Sequence, residues 1–330
     1  MSEGSAIGAD GATPSRPLRW TLADLRGASL SRPVVWASKS VRKQAESLGW
    51  PLVDALTPSI VERADTLVAI GGGTMLDEAK QFRGTQAPRL KLIAVPSLWG
   101  SGAEASPVTV LTREGKKQIT IEPKWLPDAR VVWPELLATV TPRRAREACG
   151  DVWAHALEGF LSPLAKDDVR AEGAALLRDL LTLPLGVDAR WLDVSAQAGA
   201  LQARSSVGLV HGLAHVLEGP LAAAMRAEAN QPVDRQVEIG HAALCATFLW
   251  PVLRFNRAAS DKLDRHAAQW ALDLAAIEAT LRSLHDATLW TRVRPLLESH
   301  WPQILRDVCT RTNCTLVRPS SLPALLEAAA

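Results

Sequence analysis

Tyrosine is missing from this 330-residue chain, whereas tryptophan occurs twelve times, an imbalance for which the sequence offers no functional reason. Cysteine is scarce: Cys149, Cys245, Cys309 and Cys314 show no CxxC spacing, so neither a zinc ribbon nor a disulfide framework is suggested and reduced thiols are expected. No apolar run reaches the roughly 18 to 20 residues that cross a bilayer, which argues against a membrane protein. Charge of one sign does not dominate either. With 22% charged residues, a net charge of +2 and no basic stripe, nucleic acid is not an expected partner. Residues 1–17 are small and polar without a basic start or an apolar centre, so they read as a mobile arm rather than a secretory signal, and a cytoplasmic protein is expected.

What is present is an ordinary globular composition, 47% hydrophobic, on a chain longer than one core usually serves. Two domains sharing a cleft are expected. Residues 18–145 alternate short β-branched runs (Pro33-Val-Val-Trp-Ala, Thr66-Leu-Val-Ala-Ile, Leu92-Ile-Ala-Val, Ala129-Arg-Val-Val-Trp) with helical patterns, the signature of a parallel sheet wrapped by helices. From about Thr141-Pro142, a plausible helix start, the periodicity turns helical and Ala- and Leu-rich, so residues 146–330 are expected to form an all-α domain. The charged stretch 222–240, with Asn230-Gln-Pro232, reads as a long loop or irregular helical connection.

Two glycine-bearing loops follow predicted strands. Gly71-Gly72-Gly73-Thr74 leads into a helix carrying Asp77, and backbone N–H groups at such a turn offer a site for a pyrophosphate. The second, Pro96-Ser97-Leu98-Trp99-Gly100-Ser101-Gly102, follows the next strand, at the end of the sheet where open α/β folds bind ligands.

The histidines cluster. Asp151 and His155 are one helical turn apart, His211 and His215 repeat that spacing, and His241 follows. Imidazoles in apolar helices need partners for their nitrogens, and a metal supplies them. One carboxylate with several imidazoles suits Zn²⁺ or Fe²⁺ better than Mg²⁺ or Ca²⁺.

Together, Gly71 to Lys80, Pro96 to Glu104, Gly150 to Glu158, Gly208 to His215 and Gly240-His241 through Asn256 resemble, in order, the landmarks of the iron-containing (group III) alcohol dehydrogenases of the dehydroquinate-synthase-like superfamily. The resemblance implies a Rossmann-like α/β domain, an all-α domain and an active site in the cleft between them. It implies one divalent metal, Fe²⁺ or Zn²⁺, on Asp151, His155, His211 and His241, with His215 as a proton relay. It assigns Gly71, Gly72, Gly73, Thr74 and Asp77 to the pyrophosphate, Ser97, Leu98 and Ser101 to the rest of the nucleotide, and Lys117 to the cofactor ribose. The implied reaction is hydride transfer from a nicotinamide cofactor to a small carbonyl substrate, in a homodimer or higher homo-oligomer.

Departures from that pattern are informative. Ser38 stands where NAD-using members often carry an Asp, with Lys39, Arg42 and Lys43 nearby, so NADPH is expected over NADH. Leu98-Trp99 replaces a small pair beside the nicotinamide, Trp133 replaces an Asp, Glu218 stands where Gly is common, and the 222–240 connection is long enough to displace His241. Arg204, two turns before His211, is expected on the same helix face and could grip a carboxylate or phosphonate on the substrate. Similarity to maleylacetate reductases points the same way. The alternatives are a dehydroquinate-synthase-like lyase and a non-catalytic member of the family.

Overall fold

Fully apolar strands need cover on both faces, and the four expected runs obtain it. The computed structural model describes residues 16–113, 116–228 and 240–329; most of the expected N-terminal arm and residues 229–239 of the expected connection lie outside the described residues. Strands β1 (Leu18–Thr21), β2 (Pro33–Ala37), β3 (Leu52–Val53), β4 (Thr66–Gly71), β5 (Lys91–Pro96) and β8 (Ala129–Val132) form one parallel sheet in the order β1-β8-β5-β4-β2-β3. Every residue of β4 is buried, as expected of a central parallel strand. Its alternation feeds two cores. Leu67 and Ala69 pack with Ile60, Leu76 and Phe82 from α3 (Ile60–Arg63) and α4 (Gly73–Gln86). Val68 and Ile70 pack with Leu25, Val41 and Ala45 on the opposite face, beside α1 (Leu22–Gly27) and α2 (Arg42–Glu46). A separate antiparallel hairpin, β6 (Val108–Arg113) and β7 (Lys116–Ile121), projects from this half.

Among the described residues, ten helices make up the other half: α5 (Pro142–Leu161), α6 (Asp167–Leu181), α7 (Arg190–Ser205), α8 (Leu209–Glu228), α9 (His241–Ala259), α10 (Lys262–Gln269), α11 (Leu274–Leu284), α12 (Ala287–Ile304), α13 (Val308–Arg311) and α14 (Leu322–Ala328). Helix α5 starts as its sequence dictates: Thr141 Oγ1 accepts from Arg144 N–H and Pro142 occupies the first turn, where its missing N–H costs nothing. Residues 148–161 are buried throughout, making α5 the centre of a helical core with Trp153, Phe160, Trp191 and Phe248. Residues 222–228, expected in a loop or irregular connection, continue α8 because Leu221 and Met225 still pack on that core. Among the described residues no single helix is long and apolar enough to cross a membrane.

The halves meet where backbones nearly touch. Gly102 is left-handed, with φ of 59°, and a Cβ there would lie 2.5 Å from Ser195 O and 2.6 Å from Gly199 Cα. Gly100 N–H donates to Ser195 Oγ at 2.9 Å. Nearby, Asp193 of α7 accepts from Arg19 of β1 and Arg130 of β8, pinning the sheet edge to the helices.

Candidate active site

Between the halves lies a 520 Å³ cavity lined by Gly73, Thr74, Leu98 and Ser101 from the sheet half and by Asp151, His155, His211, His215 and His241 from the helical half. Gly71 ends β4, and Gly72 caps α4 without any side-chain cap, so among the described residues the cap supplies no side-chain partner to the N–H groups of the first helical turn. Gly73 cannot be larger without disturbing the second loop: a Cβ would lie 2.4 Å from Ser101 Oγ. Ser97 N–H donates to Gly71 O at 2.9 Å, and its buried side chain does not line the cavity. Asp77 does line it, yet its carboxylate is occupied. Oδ1 pairs with the buried Lys80 at 2.7 Å, and Oδ2 accepts from Val110 N–H at 2.8 Å, so its visible role is to anchor β6.

Helical geometry delivers the acid and imidazoles from three helices. Asp151 and His155 share a face of α5, His211 and His215 a face of α8, and His241 opens α9. Asp151 Oδ1 is 3.8 Å from His211 Nε2 and 4.0 Å from His241 Nε2. Asp151 Oδ1 and His211 Nε2 are both buried without a hydrogen-bond partner, a costly arrangement unless a cation satisfies them. Glu158 fixes which nitrogen His211 offers. Its Oε2 accepts from Nδ1 at 2.7 Å and its Oε1 from Val210 N–H at 2.6 Å, leaving the Nε2 lone pair directed at Asp151. Asp151, His211, His241 and Cys245 bring one ligand atom each within 4.8 Å of one another. A metal of the zinc or iron type fits this donor set. His155 adjoins it through the Asp151 carboxylate at 3.5 Å and an edge contact with the His211 ring at 4.4 Å; its Nδ1 is tied to Asp151 O, which leaves Nε2 as its one free ligand atom.

The electrostatics agree with a carboxylate among imidazoles. Burial pushes the Asp151 carboxyl up, but His155, His241 and His211 outweigh it and hold it far below the usual range. Burial pushes His155 down, yet Asp151 raises it overall. His241 is pushed down to about 3, chiefly by desolvation. His215 is also driven well below its ordinary value by burial and by the neighbouring His241, with whose ring it stacks at 5.1 Å.

Other expected site residues sit differently. Lys117 lines the cavity and pairs with Glu218 of α8 at 3.0 Å, bridging hairpin and helix. Ser38 lies at the end of β2 outside the cavity lining, its hydroxyl bonded to Ser40, and Lys39 is exposed beside it. Arg204 does not lie on the helix face expected for it. Helix α7 ends at Ser205, Ser206 takes φ of 90°, and α8 departs at 103°, so Arg204 and His211 do not share a helix face. The Arg204 guanidinium instead donates to Glu172, at 2.8 Å, and to Asp168 of α6, from an exposed position on the cavity wall. Trp99 is buried, stacked on Trp191 at 6.3 Å, and Trp133 belongs to the sheet core.

Glu158 and Cys245 join the cluster without having been among the expected site residues. Both lay within reach of helical spacing: Glu158 is three residues after His155, and Cys245 four after His241.

Fold and site together define a two-domain protein with an open helix N-terminus and a metal-type cluster facing one cleft. The model of the iron-containing alcohol dehydrogenase family matches residues 53–134. The chain is 28% identical over 257 residues to 1-propanol dehydrogenase PduQ of Salmonella typhimurium, covering 70% of this chain and 63% of that protein. It is 30% identical over 216 residues to maleylacetate reductase 2 of Cupriavidus pinatubonensis, covering 62% and 55% respectively, so these two alignments span less than two thirds of either relative. An iron-containing alcohol dehydrogenase from Corynebacterium glutamicum superposes with a TM-score of 0.74 at 22% identity, covering 98% of this chain and 97% of that one. The chain is thus similar to iron-containing alcohol dehydrogenases in sequence and shares their fold.

Proposed function

We propose that this protein is a metal-dependent, nicotinamide-linked carbonyl reductase for a small aldehyde or ketone, with residues 18–145 binding nucleotide and residues 146–330 holding metal and substrate. The observation that carries the reading is the pair of buried, unpartnered atoms, Asp151 Oδ1 and His211 Nε2, in the cavity that also receives the uncapped N-terminus of α4. When bound, the metal supplies Lewis-acid polarisation of a carbonyl and the nicotinamide supplies hydride.

The chain's own residues do the rest. Asp151, His211 and His241 would hold the metal, with His155 Nε2 and Cys245 alongside and Glu158 fixing the His211 tautomer. The α4 N-terminus and the Gly71 to Gly73 turn present N–H groups to a pyrophosphate, while Ser101 packs against them. His215, kept neutral by its surroundings, accepts and passes the proton that the developing alkoxide requires. Since the Arg204 guanidinium is engaged by α6, the reading favours an uncharged aldehyde or ketone over a dianion.

The donor set accommodates iron or zinc. NADPH is favoured over NADH because no carboxylate occupies position 38 while Lys39 and Lys43 are exposed beside it; Arg42 is paired with Asp54 at 2.7 Å. Replacing His211 with Ala should remove bound metal and lower turnover by about a thousandfold or more, roughly 4 kcal/mol of transition-state stabilisation. Full activity in a metal-free His211→Ala protein would refute the mechanism. Rates with both nucleotides test the cofactor, and a clear NADH preference would refute that part. Stoichiometric NADPH consumption with a carbonyl panel separates this reading from a lyase that recycles its nicotinamide and from a non-catalytic protein.

A further inference from the structure

Across the His215–His241 stack from the first cluster, a second group of ligand-type side chains converges. His215 comes from α8, whereas Asp307 and Cys309 come from the turn that starts α13. Cys309 Sγ lies 3.7 Å from His215 Nδ1, and Asp307 Oδ2 lies 3.9 Å from the same nitrogen. The three ligand atoms are within 4.8 Å of one another. Zinc bonds of about 2.0 to 2.3 Å in tetrahedral geometry set ligand edges of about 3.3 to 3.8 Å, and the two separations from His215 Nδ1, 3.7 and 3.9 Å, are at the upper end of that range or just beyond it.

Local structure fixes the carboxylate for this role. Asp307 Oδ1 accepts from Cys309 N–H at 2.8 Å as the cap of α13, which orients Oδ2 toward His215. His215 and Cys309 both line the cleft, so a fourth position is open to water or another small ligand. A sulfur, a nitrogen and an oxygen donor together select against Mg²⁺ and Ca²⁺.

We propose that His215, Asp307 and Cys309 form a second, zinc-binding site on the cleft wall, separate from the Asp151 cluster. Cys309 binds as thiolate and its proton passes to solvent. Zinc held there engages His215 Nδ1, so its binding opposes the proton relay; this consequence alone rests on the proposed reductase activity.

The full chain, stripped of metal and titrated with Zn²⁺ alone, tests the site through metal retained after desalting. Wild type should retain a second equivalent that Cys309→Ser and Asp307→Asn lack, and His211→Ala should lose the first equivalent and keep the second. With Co²⁺, the thiolate charge-transfer band of the second equivalent should vanish in Cys309→Ser and persist in Cys245→Ser. Unchanged zinc content in both folded Cys309→Ser and Asp307→Asn overturns the proposal. Zinc-edge anomalous scattering from zinc-soaked wild-type crystals needs no variant: a peak among the three side chains supports the site, and its absence overturns it. Loss of turnover in His211→Ala bears on the reductase reading and leaves this result unaffected.

Discussion

At the cleft, the glycine turn of the sheet half offers backbone, whereas the candidate metal cluster of the helical half is made of side chains. Gly73 leaves room for the second loop by having no Cβ, which would lie 2.4 Å from Ser101 Oγ, and Gly72 starts α4 without a side-chain cap. Asp151, His211 and His241 act through atoms that meet only because α5, α8 and α9 pack together. The difference teaches how each half fails. A glycine site is lost by adding a methyl group, locally and whatever the rest of the protein does, while a convergent site is lost when any positioning partner is altered, even one that touches no ligand.

The largest effect is expected where the two halves meet. In Gly102→Ala the new methyl would lie 2.5 Å from Ser195 O, backbone against backbone, at a left-handed residue. A cost of about 3 kcal/mol or more is expected, visible as a lower melting temperature, because neither partner can rotate away. A Gly102→Ala protein as stable as wild type would mean that the halves are not rigidly docked there. Glu158→Gln tests the convergent half. Glu158 accepts from two N–H donors at once, Val210 and His211, and an amide can accept through only one of its two atoms. His211 then loses its fixed tautomer, and metal affinity measured by chelator competition should fall about 10- to 100-fold. Gly73→Ala makes the opposite test. Ser101 Oγ can move aside, so folding should survive, while nucleotide affinity falls roughly tenfold, about 1.4 kcal/mol, with metal content unchanged. If Gly73→Ala lost metal, or Glu158→Gln lost only nucleotide affinity, the division between backbone and side-chain halves would be wrong.

The same division explains what could be read in advance. β2, β4, β5 and β8 were legible because central parallel strands are short, continuous apolar runs. β1, Leu18–Thr21, lies at the sheet edge with a largely exposed burial pattern and gave no such signal. Pairs spaced by one turn, Asp151 with His155 and His211 with His215, follow from helical geometry alone. Partners on different elements, Glu158 of α5 with His211 of α8 or Lys117 of β7 with Glu218 of α8, do not, since no periodicity relates positions across a loop. Arg204 shows the limit: extending helical spacing through Ser206 assumed one helix where the chain turns by 103°. Asp77 shows another, because a polar residue at the start of a helix can serve the fold, here Lys80 and Val110, as readily as a ligand.

The smallest effect concerns the ion pairs that join the halves at the sheet edge. Hydrogen bonding to Arg19, and to Arg130, outweighs partial burial and lowers the Asp193 carboxyl below its ordinary range. Asp193 is partly solvated, its side chain 31% exposed, so Asp193→Asn should cost only about 1 kcal/mol at neutral pH. The sign of its pH dependence follows from the lowered value. Stabilisation is complete where the unfolded carboxylate is ionised, above about pH 5, and it disappears as pH falls past the ordinary value of about 3.9 and through the lowered folded one. The gap in melting temperature between wild type and Asp193→Asn should therefore stay constant from neutrality to about pH 5 and close in stronger acid. A gap that widened in acid would mean that Asp193 does not act as the carboxylate partner of Arg19 and Arg130. The contact between the halves would then depend on the Gly102–Gly199 approach and the packing around it.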